Sequence, residues 1–122
     1  KGLIQEYQVG INIKKSVEVE NVDIGIKTLI PLGLIINELI TNSLKYAFKN
    51  KTEGEIIVHL KHIEGGKHEM IIGDDGVGLK KKEKPKGLGT ELVQIFIDQL
   101  EGSIERLDVS GTKFKIIFEN ID

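Results

Sequence analysis

Two different spacings of apolar residues follow one another in the first part of the chain. Residues 9–19 are rich in β-branched side chains with partial alternation of apolar and polar positions, which is typical of a β-strand. In residues 32–49 the apolar side chains recur at intervals of three and four, which predicts an amphipathic helix. Pro31 comes directly before this stretch. Because proline favours the first helical position, we expect the helix to begin there.

The next pattern predicts a hairpin. Residues 55–62 alternate apolar and polar side chains, and a second such run, residues 69–73, follows the pair Gly65-Gly66. Two alternating runs around a short glycine turn favour antiparallel pairing. Residues 74–89 are rich in glycine and lysine, which indicates a loop.

The last third of the chain predicts one more helix and one more hairpin. Residues 90–100 carry apolar side chains at helical spacing, and Gly102 follows as the expected helix cap. Residues 103–109 and 113–118 form a predicted hairpin around Ser110-Gly111. This order of elements predicts an α+β fold, a two-layer sandwich with helices on one face of a mixed, mainly antiparallel sheet.

The size and composition of the chain agree with a single domain. With 122 residues, 39% of them hydrophobic, the chain can form one core. We expect residues 1–122 to be one domain of a longer protein, with residues 1–8 compatible with the end of a truncated helix. The longest apolar stretch, residues 29–36, is too short to span a bilayer, so we expect no membrane contact by this domain.

Charge and cysteine usage exclude several function classes. The formal net charge of −2 gives no reason to expect nucleic acid or an anionic membrane as a partner. The chain has no cysteine, which excludes disulfides, thiolate metal sites and cysteine nucleophiles and agrees with a cytoplasmic location.

One face of the first predicted helix carries an unusual set of polar residues. At 100° per residue, Glu38, Asn42, Lys45 and Lys49 fall within a stripe about 60° wide. Such a stripe can be an ordinary solvated face. However, an amide oxygen is a suitable ligand for Mg²⁺, a lysine can neutralise phosphate, and Glu38 could orient or deprotonate a nucleophile. Tyr46 lies at the border of the stripe, where its ring could stack on a base or pack in the core.

Two glycine-containing segments follow. Asp74-Asp75-Gly76-Val77-Gly78 is compatible with a tight turn, but Asp74 could also accept a hydrogen bond from the amino group of a base while the glycines admit the ligand. Gly87-Leu88-Gly89-Thr90 precedes and opens the second helix, where free N–H groups favour phosphate. Neither a Walker A motif nor a Rossmann fingerprint is present.

Together these segments resemble the motifs of a known superfamily. The helix segment from Asn37 to Ala47, then Asp74-x-Gly-x-Gly, then Gly87-x-Gly, then Gly111-Thr112 resemble the N, G1 and G2 boxes and the terminal Gly-Thr of the Bergerat-fold ATPases. That superfamily includes histidine kinases, DNA gyrase, a heat-shock chaperone and mismatch-repair ATPases. The segments 31–38 and 45–48 are most similar to histidine kinases with a short ATP lid.

The resemblance implies a magnesium–ATP site. It implies that Asn42 ligates Mg²⁺, that Asp74 binds the adenine amino group with help from Thr112 through water, and that Tyr46 flanks the base. Glu38 occupies the position where hydrolysing relatives keep the base that activates water, and the resemblance makes it the candidate catalytic residue. The full set of implied ATP-binding residues is Asn42, Lys45, Tyr46, Asp74, Gly76, Gly78, Lys86, Gly87, Leu88, Gly89, Thr90 and Thr112.

The implied activity is phosphoryl transfer from ATP to a histidine of an upstream dimeric helical domain, followed by relay to the receiver domain of a response regulator. A serine kinase of the anti-sigma-factor type and a regulatory nucleotide-binding module without turnover are the alternatives. Only eight residues separate Gly78 from Gly87, so the longer lid of many histidine kinases, with its phenylalanine motif, is absent.

The three histidines of the chain do not suit the role of phosphoacceptor. His59, His62 and His68 lie on or beside predicted strands, whereas the acceptor is expected on a helix. Although His68 is followed by an acidic residue, it stands in the predicted hairpin. His59 and His62 are three apart and so point to opposite faces of a strand, which argues against a shared metal site.

Overall fold

The computed structural model describes residues 12–20, 22–47, 53–76, 88–107 and 111–122. Within them, two helices pack on one face of a five-stranded sheet. The elements are β1 (Asn12–Val19), α1 (Ile26–Asn42) continued by a π-helical turn (Ser43–Ala47), β2 (Glu53–Glu64), β3 (Lys67–Asp74), α2 (Leu88–Gln99), β4 (Ser103–Arg106) and β5 (Thr112–Glu119). The predicted remnant helix at residues 1–8 lies outside the described residues.

The sheet has the strand order β1-β2-β3-β5-β4. Only β1 and β2 run parallel, and the β2–β3, β3–β5 and β4–β5 pairs are antiparallel. The predicted mixed, mainly antiparallel sheet and the β2–β3 hairpin are therefore confirmed. The described part of β4 is shorter than predicted, ending at Arg106, although the N–H of Leu107 still donates to Lys113.

The core lies between the helices and the sheet. It is formed by the fully buried side chains of Ile35, Met70, Ile72, Ile97, Leu100, Ile116 and Phe118. Alternate residues of β3 point into this core because side chains in a strand alternate between the two faces. The register that buries Met70 and Ile72 therefore also points Asp74, the last residue of β3, toward the helices.

Helix α1 begins at Ile26, so the prediction that it begins at Pro31 was wrong. Pro31 is buried inside the helix, where it lacks one N–H donor but does not prevent helix formation. The first turn is capped by a carboxylate remote in sequence: Asp122 accepts the N–H groups of Lys27 and Thr28, both at 2.9 Å. Local sequence could not reveal this cap, because Gly25 at the N-cap has no side chain.

The cap explains the glycine at position 25. A Cβ atom there would lie 2.3 Å from Cγ of Asp122, so a larger residue would displace the carboxylate from the cap. Thr28, fully buried, completes the contact: its hydroxyl lies 2.7 Å from Oδ1 of Asp122 and 2.8 Å from Oδ1 of Asn120. The same hydroxyl accepts the N–H of Ile121 at 2.8 Å.

The end of α2 also differs from the prediction. Glu101, not Gly102, adopts the left-handed conformation, with φ of 51°. The N–H of Gly102 donates to Ile97 and that of Glu101 to Asp98, both at 3.0 Å, which is the Schellman arrangement. Glycine is needed at 102 for another reason: a Cβ there would lie 2.3 Å from the carbonyl oxygen of Ile117 in β5.

Beside the core, His68 is a buried histidine on β3. Its side chain is 3% exposed and stacks on Phe118 with 5.4 Å between ring centroids. Burial lowers the pKa of His68, and the neighbouring His62 lowers it further. Nδ1 of His68 has no hydrogen-bond partner among the described residues.

We expect Thr28→Val to lower the free energy of unfolding by about 1–3 kcal/mol, because the N–H of Ile121 is left without its acceptor. Urea unfolding followed by circular dichroism measures this. Adding Asp122→Ala to Thr28→Val should cost less than Asp122→Ala alone, because the two side chains share one network. Additive effects would contradict the network.

The free energy of unfolding should fall as the pH decreases below about 6.5, the pKa of an unperturbed histidine. The lowered pKa of His68 means that the unfolded state takes up the proton first, so the stabilisation is complete above about 6.5 and is lost as the pH falls through the folded-state pKa. His68→Phe keeps the ring stack and should flatten this dependence. His59→Gln is the control, since His59 is only half-buried and its replacement should leave the slope in place.

Candidate functional site

A buried carboxylate at the end of β3 organises the candidate site. Asp74 is 1% exposed. Its Oδ2 accepts the hydroxyl of Ser43 at 2.5 Å, and its Oδ1 accepts the N–H groups of Gly76 at 2.8 Å and Thr112 at 3.3 Å. The carboxylate is thereby held by the turn after α1, by the turn after β3 and by the start of β5.

These contacts leave Asp74 able to accept one more donor. An ionised carboxylate has about four acceptor positions, and the described residues supply three donors. The remaining position is on Oδ2, the oxygen that contacts Ser43. A fixed, buried acceptor of this kind suits the exocyclic amino group of a base, because an unmatched ligand would leave it unsatisfied.

Two glycines allow β3 and β5 to approach each other closely at this point. A Cβ on Gly73 would lie 2.1 Å from the carbonyl oxygen of Thr112, and one on Gly111 would lie 2.1 Å from the carbonyl oxygen of Asp74. Gly111 also has φ of 79°, in the left-handed region that favours glycine. The close approach brings the N–H of Thr112 to the carboxylate, and Thr112 itself is half-buried.

Sequence reasoning missed Ser43 as a partner of Asp74. A usable signal was present: Ser43 follows Leu39 by four residues and therefore lies on the buried side of the helix. A hydroxyl at a buried position needs a hydrogen-bond partner. Ser43 is 8% exposed, and Asp74 is that partner.

The polar stripe continues as predicted only to Asn42. Glu38 and Asn42 are both half-buried and lie one turn apart on α1. From Ser43 to Ala47 the backbone is π-helical, so the assumed 100° per residue is wrong for Lys45. The side chain of Lys45 is exposed on this turn, and Tyr46 lies on it by its backbone. Lys49 falls outside the described residues.

The glycine-rich segment is described only at its two ends. Gly76 contacts Asp74, whereas Gly78, Lys86 and Gly87 lie outside the described residues. Helix α2 begins at Leu88, two residues before the predicted start, so Leu88, Gly89 and Thr90 form its first turn. The first N–H groups of a helix favour an anion.

The described residues contain no protein-only metal site. Among them, no group of three or more histidine or acidic side chains could hold a metal ion. His59 instead contacts Ser16 at 2.9 Å, and His62 contacts the carbonyl oxygen of Gly65 at 2.6 Å. No helix in the described ranges is long and apolar enough to cross a membrane.

Comparison with known sequences places the chain among ATPases. Residues 27–120 match the sequence model of a family described as histidine kinase-, DNA gyrase B-, and HSP90-like ATPase. Blue-light-activated histidine kinase 1 of Erythrobacter litoralis is 28% identical over 119 residues, 94% of this chain and 33% of that protein. Blue-light-activated histidine kinase 2 of the same organism is 26% identical over 91 residues, 72% of this chain and 26% of that protein. The chain thus spans about a quarter to a third of these relatives' length.

A different kinase matches a shorter segment. The serine-protein kinase RsbW of Listeria innocua is 36% identical over 58 residues, which cover 48% of this chain and 36% of that protein.

Solved structures confirm the predicted fold. The histidine kinase domain of the Erythrobacter litoralis EL346 blue-light-activated kinase superposes with a TM-score of 0.84 at 23% identity, covering 96% of this chain and 56% of that one. The mycobacterial sensor histidine kinase MprB gives a TM-score of 0.71 at 19% identity, covering 95% of this chain and 91% of that one. Both show the α+β sandwich predicted above. The prediction of a histidine kinase-type ATP-binding domain is confirmed, and the chain belongs to the histidine kinase-, DNA gyrase B-, and HSP90-like ATPase family.

Proposed function

We propose that this chain is the ATP-binding catalytic domain of a sensor histidine kinase. In this proposal it acts in the cytoplasm and transfers the γ-phosphoryl group of ATP to a histidine on a helical domain outside this chain. The observation that carries the proposal is the buried Asp74 carboxylate, fixed by Ser43, Gly76 and Thr112 with one acceptor position left. A histidine kinase relative that aligns with 94% of the chain supports the choice within the family.

Adenine would bind at the end of β3. Its exocyclic amino group donates to Oδ2 of Asp74, and Thr112 assists through a water molecule. Tyr46, on the π-helical turn that also carries Ser43, flanks the ring. Since Asp74 is almost fully buried, the contact is made in a low-dielectric environment where a polar hydrogen bond strongly discriminates between bases.

The triphosphate would lie between α1 and the start of α2. Asn42 offers a hard amide oxygen of the kind that Mg²⁺ prefers as a ligand, and phosphate oxygens would supply further ligands. Bound Mg²⁺ would neutralise phosphate charge. Lys45 adds a positive charge, and the first turn of α2 offers free N–H groups. Gly78, Lys86, Gly87 and Gly89 complete the proposed phosphate contacts.

The chain's own contribution to transfer is positioning and charge neutralisation, which phosphoryl transfer requires. The bond from the γ-phosphorus to the bridging oxygen breaks as a phosphorus–nitrogen bond forms on the acceptor imidazole, and ADP leaves. Glu38, half-buried one turn before Asn42, can orient the incoming imidazole. The phosphoryl group then passes to an aspartate in the receiver domain of a response regulator.

The acceptor histidine would lie on another domain. His68 is buried on β3, His59 contacts Ser16, and His62 lies against His68. None of the three stands on a helix. The proposed partner is therefore a dimeric helical hairpin, which would also mediate dimerisation of the whole protein.

The segment similar to RsbW favours a serine kinase as the second candidate. Phosphohistidine is labile in acid whereas phosphoserine is stable, so the two products are distinguishable. The chain, labelled ATP and a helical hairpin with an acceptor histidine should yield an acid-labile product. An acid-stable product on a serine partner would favour the second candidate, and ATP binding without any transfer would favour a regulatory module.

Asp74→Asn should weaken ATP binding by about ten-fold to a hundred-fold, since it removes a hydrogen bond to a charged acceptor and disturbs three donors. Isothermal titration calorimetry measures the change. Asp75→Asn is the matched control: Asp75 is exposed, and its Oδ1 accepts the N–H of Glu55, so affinity should be unchanged. Equal affinity of folded Asp74→Asn and the parent chain would refute the adenine assignment.

Asn42→Ala should weaken binding of ATP in the presence of Mg²⁺ but leave binding without Mg²⁺ almost unchanged, because only the metal ligand is removed. Titrations with and without Mg²⁺ separate the two effects. Asn37→Ala on the exposed side of α1 is the control. A loss of affinity that is independent of Mg²⁺ would assign Asn42 to the nucleotide instead.

A further inference from the structure

The outer edge of β1 is open in the described part of the structure. β1 lies first in the strand order and pairs only with β2. The N–H of Glu20 donates to Leu60 of β2 at 2.9 Å. Because backbone groups of successive residues in a strand point to opposite edges, those of Ile13, Lys15, Val17 and Val19 point away from β2.

On the helix-facing side of this edge, two valines are exposed beside the exposed Lys15. Val17 is 62% exposed and Val19 58% exposed, although their register partners Val58 and Leu60 on β2 contribute to the core. An eight-residue edge strand with exposed apolar side chains is a ready template for pairing with another strand.

On the opposite side of β1, the charged side chains match those of a second β1 strand that runs in the reverse direction. Lys14 and Glu18 are both exposed and lie two residues before and after Ser16. If a second β1 runs antiparallel with Ser16 opposite Ser16, each Lys14 faces Glu18 of the second copy. Opposite charges at such positions stabilise a strand pair. In the same register, Ile13 faces Val19 and Lys15 faces Val17, which are the residues with outward-pointing backbone groups.

Neighbouring registers are less favourable. A register centred on Lys15 places two lysines opposite each other, and registers centred on Lys14 or Glu18 oppose like charges, which destabilises a strand pair. A register centred on Val17 places Lys14 opposite Glu20, but it leaves Glu18 opposite Ser16 and Ile13 beyond the end of β1 at Val19. Only the register centred on Ser16 places Lys14 opposite Glu18 and also pairs all four residues whose backbone groups point outward.

We propose that β1 pairs antiparallel with β1 of a second copy of this chain, with Ser16 at the two-fold axis. The two five-stranded sheets then join into one continuous sheet. The contact is isologous, as closed symmetric dimers require. It is independent of the proposed ATP site, because Asp74 lies on β3, separated from β1 by β2.

Cysteine crosslinking tests the register. The chain has no cysteine, so Ser16→Cys introduces a single thiol. Opposed residues at a non-hydrogen-bonded position have Cα atoms about 4.5 Å apart, within disulfide range. We expect Ser16→Cys to form a covalent dimer on mild oxidation. Lys14→Cys is the control, since its two Cα atoms would be about 13 Å apart along the strand. Equal crosslinking of both folded variants would overturn the proposal.

Charge reversal tests the interface without a covalent bond. Lys14→Glu and Glu18→Lys should each weaken dimerisation about ten-fold or more by opposing like charges twice, and the double variant should restore it. Lys67→Glu, an equal charge change at an exposed residue of β3, should have no effect. Sedimentation equilibrium measures the association. A chain that stays monomeric up to about 1 mM, or a dimer insensitive to both reversals, would overturn the proposal.

Discussion

The contact between Asp74 and Ser43 is the interaction on which the candidate site depends. It joins the last residue of β3 to the first residue after α1, two elements that otherwise meet through apolar side chains. Because a buried carboxylate without donors is strongly unfavourable, the contact also requires Gly76 and Thr112 to be in place. The site and the packing of the end of α1 therefore form one cooperative unit.

The position of the site is a consequence of strand periodicity. Met70 and Ile72 of β3 face the helices, and Asp74 takes the next position on the same face where the strand ends. Because side chains alternate between the two faces of a strand, the residue two positions after Ile72 lies on the same face as the core. Gly73 and Gly111 then remove the side chains that would keep β5 away from this carboxylate.

Much of this arrangement could be predicted from the sequence, and each failure has its own physical cause. Alternation and helical spacing are local, so the strands, the two helices and the sandwich were predictable. The start of α1 was not, because its cap is Asp122 rather than a neighbouring residue. The π-helical turn was not, because propensities do not distinguish it from an α-helix. The motifs pointed to Asp74 and Asn42. Ser43 could be identified only by asking which group forms a hydrogen bond with a hydroxyl at a buried position.

The cap on α1 also has a consequence for the order in which the chain folds. Thr28 and Asp122 are 94 residues apart, and such long-range contacts form late because loop closure must precede them. During synthesis, the first turn of the helix that ends at Asn42 stays without its cap until Asp122 has been made. The helix that carries Glu38 and Asn42 is thus completed by residues made long after the helix itself, and its first turn gains this cap only once the segment after β5 is in place.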